Sequence, residues 1–455
     1  MSAHAAEMPL VAPASAAMPV DVLPARKLRG ELRLPGDKSV SHRALMLALL
    51  AAGETTITAA GDGADVRSTA GIVEALGASV TRTRRADGNV DYIVRSRGAA
   101  SLGAPVGALD CGNSGTSMRL FSGILAGQPM TVELDGDGSL RSRPMARVIE
   151  PLRAMGADVA GADGAKPPLR IAGRRPLAAI DWATPVPSAQ VKSSILLAGL
   201  AAVGTTVVRE PIATRDHTER MLKARGVAVR SAVSADGSNR VEVDGPAMVR
   251  AVDQVVPGDP SAAAFWLVAA AIHQDAEITL RGVGVNPSRR AVIDLLTRMG
   301  ASITERGAKD DGIGEPIADL VVESSDLEGI ELSPADTASA IDEIPILCLA
   351  ATQACGTTVI RGAGELRHKE SDRIAGIVDG LTALGATIRA DGDDIVIEGP
   401  TELCGATVDS RGDHRLALTF AIAGLVATGR TTIRGADSVA VSYPTFFVDV
   451  ERIRA

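Results

Sequence analysis

Short apolar runs alternate along this chain with glycine-centred breaks, and three signals recur in the same order. A polar segment containing Gly or Ser opens an apolar helix. A Gly-x-Thr turn then leads into alternating β-branched residues, which predicts a strand, and a second helix ends on Gly-Ala before another strand. The turn is read at Gly53-Glu54-Thr55, Gly204-Thr205-Thr206, Gly356-Thr357-Thr358 and Gly429-Arg430-Thr431, with residues 127–132 and 274–280 as divergent copies. The helix ends are read at Leu76-Gly77-Ala78, Met155-Gly156-Ala157, Met299-Gly300-Ala301 and Leu384-Gly385-Ala386, with Arg225-Gly226-Val227 related. Glycine just past a helix end supplies the left-handed cap. These caps stand 70 to 85 residues apart, a spacing too wide for a solenoid repeat and too narrow for an independent domain. Each unit is therefore a βαβαβ-type module, and six of them suggest two α/β domains of three.

The stretches 262–272 and 346–351 are apolar around most of the helical circumference, which predicts burial inside a domain rather than on its surface. Pro/Gly joints at Leu34-Pro35-Gly36 and Val256-Pro257-Gly258 are the candidate crossings between domains. They divide the chain into a flexible tail over 1–25, one domain over 36–256, and a second over 26–35 together with 257–455. With 455 residues, 46% of them hydrophobic, the chain has ample material for two cores.

Aromatic residues make up only 2%, which excludes a single-strand nucleic-acid binder built on stacking rings. A formal net charge of -8 provides no global field for nucleic acid or an acidic membrane, so any anion site must be local. Cys111, Cys348, Cys355 and Cys404 form no CxxC pair, as expected of reduced thiols in the cytoplasm. The N-terminal stretch lacks the basic region of a secretory signal, and the longest apolar runs fall short of the roughly 20 residues that span a bilayer.

The polar residues at the six helix starts are candidates for chemistry. They read Gly36-Asp37-Lys38-Ser39 with Ser41 and Arg43; Gly112-Asn113-Ser114-Gly115-Thr116 with Arg119; Ser188-Ala189-Gln190-Val191-Lys192; Gly258-Asp259-Pro260-Ser261; Ile341-Asp342-Glu343; and Gly412-Asp413-His414-Arg415. A helix N-terminus offers unpaired N–H groups and the positive end of its dipole, so several aimed at one cleft would hold phosphates and carboxylates. Alone, Lys38-Ser39 is equally a cap beside a solvated charge. The glycine-flanked loop 112–116 is the stronger signal, because its backbone can approach phosphate oxygens while short hydroxyls donate to them. Arg141, Arg143 and Arg147 around Pro144, and the run Arg367-His368-Lys369-Glu370-Ser371-Asp372-Arg373, read either as site residues or as solvated charge.

The segments 112–119 and 367–373, with matching helix starts from Lys38 to Pro444, resemble the signature segments of the 5-enolpyruvylshikimate-3-phosphate synthase family. The resemblance implies two similar globular domains, each of three βαβαββ units in an inverse α/β barrel, with the active site in the cleft between them. It also implies a cytoplasmic, monomeric transferase of the shikimate pathway that needs no cofactor or metal and binds neither nucleic acid nor membrane. Carried over residue by residue, shikimate 3-phosphate would be held by Lys38, Ser39, Arg43, Ser188, Ala189, Gln190, Arg215, Asp342 and Lys369. Phosphoenolpyruvate would be held by Lys38, Gly115, Arg143, Gln190, Arg373 and Arg415, where the planar arginine fork matches carboxylate and phosphate oxygens. Asp342 would be the base at the 5-hydroxyl and Glu370 the acid, with Lys38 polarising, relaying or itself donating the proton. Val441 stands where some relatives have a lysine, which removes one phosphate contact.

Two other readings are weighed against this one. A sister transferase acting on a UDP-sugar would carry a reactive cysteine in a mobile loop, whereas Cys111 reads as a small residue packed before Gly112. A noncatalytic anion-binding scaffold would have lost one of Lys38, Asp342, Glu370 or Arg415, yet all four are present. Motifs at 36–39, 188–192 and 215–219 resemble the subgroup poorly inhibited by the herbicide glyphosate. Gly115 leaves the space that an added methyl would fill, and a clash need only touch the longer ligand. Gly115→Ala is therefore expected to weaken glyphosate inhibition more than phosphoenolpyruvate binding, and equal losses in the two constants would refute this.

Overall fold

The computed structural model describes residues 18–309 and 314–454. Five of the six sheets repeat one plan, in which a short strand lies parallel to a longer one that continues antiparallel through a hairpin; in the sixth, Thr407–Asp409 lies parallel to Thr431–Arg434 and the antiparallel neighbour is Val20–Val22 instead. In the second unit Leu109–Asp110 pairs in parallel with Thr131–Asp135, which pairs antiparallel with Lys166–Ala172 and through it with Asp158–Ala162. The helices Gly115–Ala126 and Ala146–Ala154 connect these strands, so the order is βαβαββ.

The six inner helices are α1 (Lys38–Leu50), α2 (Gly115–Ala126), α3 (Ala189–Gly199), α4 (Pro260–Ile272), α5 (Ile344–Gln353) and α6 (His414–Val426). Burial on every side explains their apolar circumference: twelve of the thirteen residues of α4 are buried. The outer helices are amphipathic instead. Ala291–Arg298, for example, buries Val292, Ile293, Leu295 and Leu296 and turns its charges outward. Two separate apolar cores result. One gathers residues between Val40 and Val256; the other gathers Val22, Leu28, Leu32 and Leu34 with residues from Ala262 to Ile453.

The chain passes between these halves twice. Leu28–Arg33 pairs in parallel with Ala276–Gly284, from Leu28 opposite Ala276 to Arg33 opposite Arg281, so the first long strand belongs to the later half. Gln254–Val255 returns to pair with Ala52–Ala60 and completes the earlier half's first sheet. The crossings lie against each other: Asp37 N donates to Pro257 O (2.7 Å) and Asp259 N to Pro35 O (2.9 Å). Glycine is required at position 36, where a Cβ would collide with the carbonyl of Ala59 and the amide of Gly61.

The tail read over 1–25 is shorter than expected from the sequence. Val20–Val22 is a strand paired antiparallel with Thr431–Arg434, Val20 facing Ile433, and it covers an otherwise open edge of the last sheet. Its two valines are too few to register as a strand in a Pro/Ala-rich context. The first 17 residues of that tail lie outside the described ones. Among the described residues, no helix is long and apolar enough to cross a membrane.

Gly123 of α2 faces Ser194 of α3, where a Cβ would fall inside the van der Waals radius of the Ser194 carbonyl. Gly123→Ala should therefore cost about 1–3 kcal/mol by forcing the helices apart, outweighing the roughly 1 kcal/mol that alanine contributes through helix propensity. Chemical denaturation of both proteins measures this, and a more stable variant would show that the helices have room.

Candidate active site

The starts of α1 and α4 lie at the two crossings, and most of the inner helices begin with a side-chain cap. The Asp37 carboxylate accepts from Val40 N (2.9 Å), Ser114 Oγ from Ser117 N (3.0 Å), Asp259 from Ser261 N (2.8 Å) and Asp413 from Arg415 N (2.8 Å). Ser188 Oγ accepts more loosely from Val191 N at 3.4 Å, and α5 begins without a side-chain cap at Glu343. Each cap satisfies one amide and leaves the rest of the first turn facing the cleft.

On the earlier half's wall, Lys38 Nζ lies 3.2 Å from Asp65 Oδ2, at the start of the helix Ala64–Ala75. Arg143 Nη2 donates to Asn113 Oδ1 (2.6 Å), and Arg119 Nη1 donates to Gln190 Oε1 (2.5 Å). Gln190 Nε2 in turn donates to Thr116 Oγ1 (2.9 Å), tying α3 to the glycine loop. A Cβ on Gly115 would sit 2.8 Å from Arg119 Nη1 and 3.3 Å from Arg143 Nη1. The space expected to be open beside Gly115 is thus taken up by two guanidinium groups, and an alanine there would have to displace the end of Arg119. Burial, then the charges of Arg143 and Arg147, push the Arg119 pKa down to about 10.

Arg43 is almost wholly buried. Its Nε donates to Thr218 Oγ1 (2.7 Å), its Nη2 to Ser193 Oγ (2.9 Å) and its Nη1 to the Ser39 carbonyl (3.0 Å). Beneath it Lys192 is fully enclosed, 2.9 Å from Glu210 and 2.8 Å from Glu219. One chain of buried charges thus connects α1, α3 and the helix His217–Ala224.

The opposite wall is organised around Asp342. Its carboxylate lies 3.0 Å from Arg215, 3.6 Å from Lys369 and 3.6 Å from Arg373. Burial alone would raise its pKa, but Arg415, Lys369, Arg215 and Arg373 together hold it well below the usual carboxylate range. Arg373 is itself buried, donating to Glu370 Oε2 (2.6 Å) and to Asp413 Oδ2 (2.8 Å). Arg415 stands 3.4 Å from Glu343, which also accepts from Ser261 Oγ (2.5 Å). Against burial, Arg373, His414 and Arg415 bring Glu370 down to about 2. His414 is pushed down to about 4 by burial, by Arg415 and by Lys38 from the facing wall. The two walls therefore share one electrostatic environment, with Arg215 of the earlier half reaching Asp342 of the later one.

Among the sequence-predicted residues, Arg215, Asp342, Lys369, Glu370, Arg373 and Arg415 form one connected cluster, while Lys38, Gly115, Arg143 and Gln190 line the facing wall. Ser39 is half-buried beside Lys38; Ser188 caps its own helix, and Ala189 offers only backbone there. The ambiguous charge runs divide cleanly. Arg141 turns outward to Asp135 (2.5 Å), and Arg367 pairs with Asp372 (3.3 Å) and Asp393 (3.5 Å), so both are solvated charge. Asp65 and Asp413 were missed as partners because each reads in sequence as an ordinary helix-start acid. Arg119 was visible in its motif but carried no assigned role.

Residues 22–450 match the family described as EPSP synthase (3-phosphoshikimate 1-carboxyvinyltransferase). A curated 3-phosphoshikimate 1-carboxyvinyltransferase of Gloeobacter violaceus is 50% identical over 435 residues, spanning 95% of this chain and 98% of its own. The chain belongs to the EPSP synthase family. The corresponding protein of Bacillus cereus is 46% identical over 428 residues, 94% of this chain and 97% of its own. A solved EPSP synthase of Acinetobacter baumannii superposes with a TM-score of 0.86 at 41% identity, over 95% of this chain and 98% of that one. The enolpyruvyl transferase NikO of Streptomyces tendae shares the fold, with a TM-score of 0.77 at 19% identity over 96% of this chain and 98% of its own. The fold is thus the two-domain inverse α/β barrel of the family, and the chain is a transferase of the carboxyvinyl class.

Glu370 gives the site a signature in acid. A carboxylate whose folded pKa is depressed contributes stability above its unfolded value and loses it as pH falls through the folded value. The stability difference between the parent and Glu370→Gln should therefore shrink as pH is lowered from about 4.5 towards about 2. Because the side chain is 40% exposed, solvent screening keeps the effect modest. A difference that stays constant over that interval in pH-resolved denaturation would show that Arg373 does not hold the carboxylate ionised.

Proposed function

We propose that the cleft binds shikimate 3-phosphate and phosphoenolpyruvate side by side and transfers the enolpyruvyl group to the 5-hydroxyl, releasing phosphate. The observation that carries this reading is the ring of Arg215, Lys369, Arg373 and Arg415 around the Asp342 carboxylate. A carboxylate so surrounded is ionised and fixed, and it is a natural acceptor for a sugar-like hydroxyl in a pocket made for anions. Lys38, Ser39, Arg43, Ser188, Gln190, Arg215, Asp342 and Lys369, with the backbone at Ala189, are the proposed holders of shikimate 3-phosphate. Lys38, Gly115, Arg143, Gln190, Arg373 and Arg415 are the proposed holders of phosphoenolpyruvate.

In the proposed chemistry Asp342 accepts the 5-hydroxyl proton as that oxygen bonds to the central carbon of phosphoenolpyruvate. Glu370, or Lys38, delivers a proton to the methylene carbon. The phosphate then departs with its bonding electrons while the methyl group gives back one proton, restoring the double bond. Atoms and charges balance with the two substrates alone, so the step calls on no cofactor. The surrounding cations keep both carboxylates ionised; the anionic substrates offset the arginines, and each added negative charge raises the neighbouring carboxyl pKa towards the range a proton donor needs.

The separate cores support residues 36–256 as one domain and residues 26–35 with 257–455 as the other. We place the enzyme in the cytoplasm, acting as a monomer without nucleic acid. Phosphate release measured with shikimate 3-phosphate and, separately, with a UDP-sugar acceptor tests the activity. Release with shikimate 3-phosphate alone is expected, and release only with the UDP-sugar would overturn the assignment. Asp342→Asn should lower kcat by about 10²–10⁴-fold, and near-parental turnover with parental affinity would remove Asp342 from the base role.

A further inference from the structure

Beside the cleft, the consecutive residues Asp216 and His217 of the earlier half are held by Asn286, Ser288 and Glu315 of the later one. Asp216 accepts from Asn286 Nδ2 (2.8 Å) and Ser288 Oγ (3.0 Å), and its own amide donates to Ser288 Oγ (3.3 Å). His217 Nδ1 lies 2.7 Å from Glu315 Oε1, whose second oxygen accepts from Asn286 Nδ2 (2.9 Å). His217, Asn286 and Glu315 are all buried. The residue immediately before them, Arg215, makes the 3.0 Å contact to Asp342.

The same segment also touches the chain crossings. Arg289 follows Ser288 and is buried, with Nη2 donating to Ser261 Oγ (2.9 Å) and lying 3.3 Å from Asp259 and 3.8 Å from Asp37. Residues 286–289 therefore touch both crossing points through Arg289 and the base of the Arg215 loop through Asn286 and Ser288.

Buried polar contacts between halves are costly to break one at a time, because the partner left behind remains desolvated. They suit an interface with two discrete arrangements, one with all contacts made and one with all of them solvated. We propose that Asn286, Ser288 and Glu315 form a closure latch that fixes Asp216 and His217 and thereby positions Arg215 against Asp342 for the acceptor's phosphate. These are positioning residues; none is assigned a contact with substrate. The proposal rests on the reading of the cleft as the shikimate 3-phosphate site, and it adds the device that sets the geometry of that site.

Loosening the latch lowers the fraction of molecules in the binding-competent arrangement, and apparent affinity falls by that fraction while saturated chemistry proceeds. Asn286→Ala, Glu315→Gln and Ser288→Ala should each raise KM for shikimate 3-phosphate about tenfold, with a smaller change in kcat. Ser288→Thr, which keeps the hydroxyl, should retain the parental KM. Small-angle scattering of the ligand-free proteins should show a larger radius of gyration for Asn286→Ala than for the parent, whatever the substrate. A lower melting temperature with unchanged KM and unchanged radius would reduce the cluster to a structural contact and overturn the latch. If the parent releases no phosphate with shikimate 3-phosphate, the functional reading fails, and an unchanged radius would separately refute the latch.

Discussion

A helix buried around its whole circumference meets solvent only at its ends, and that constraint organises the molecule. Each of α1 to α6 is enclosed by its own half, so capping carboxylates and hydroxyls, unpaired first-turn amides and the cations beside them have one place to go. The resulting dipole ends and side chains give the cleft its character in a protein whose overall charge is negative. The anion site is thus a consequence of how the cores are packed.

Gathering so many cations would be unfavourable in an empty cleft, and the chain offsets them internally. Asp65 stands by Lys38, Glu370 and Asp413 by Arg373, Glu343 by Arg415, and Asp342 by four cations at once. These carboxylates stabilise the unliganded cleft and keep each guanidinium oriented. They also couple proton affinity to occupancy. An incoming phosphate or carboxylate competes for the same arginines, and the carboxylate it displaces becomes easier to protonate. A pocket preorganised in this way can switch a carboxyl from ion to acid without any residue moving far.

The local rules of the fold were legible in the sequence because they are short-range. Gly77, Gly156, Gly226, Gly300 and Gly385 all adopt the positive φ that their position after a helix predicts. The apolar periodicity of α4 similarly announced burial on all sides. Pairings across long sequence distances were not legible. Nothing in Val20–Val22 indicates Thr431–Arg434 as its partner, and nothing in Asp65 distinguishes an ion-pair partner of Lys38 from a helix-start acid. The charge runs show the same limit. Arg367 and Arg373 are six residues apart in one polar segment, yet one is solvated beside Asp372 and Asp393 while the other is buried against Asp413. That distinction depends on which side chains the helix Arg373–Ala383 carries towards α6, and only the tertiary arrangement supplies it.

The double crossing explains why two halves that fold around separate cores still behave as one site. Had the chain passed between them once, their relative orientation would rest on a single flexible joint. The chain instead leaves the later half's sheet after Leu28–Arg33 and leaves the earlier half's sheet after Gln254–Val255, and the two crossings lie side by side, bound by reciprocal backbone hydrogen bonds. Asp37 and Asp259, the caps of α1 and α4, stand at those points with Arg289 between them. Two buried acids brought so close would repel, and indeed burial and Asp259 together raise the Asp37 pKa despite Arg289. The guanidinium is what lets the caps, and hence the starts of the two helices nearest the joint, approach. A rotation about the crossings must carry Lys38, one residue beyond the first cap, relative to the later half, so the geometry of the joint and the geometry of the anion site are set by the same few atoms.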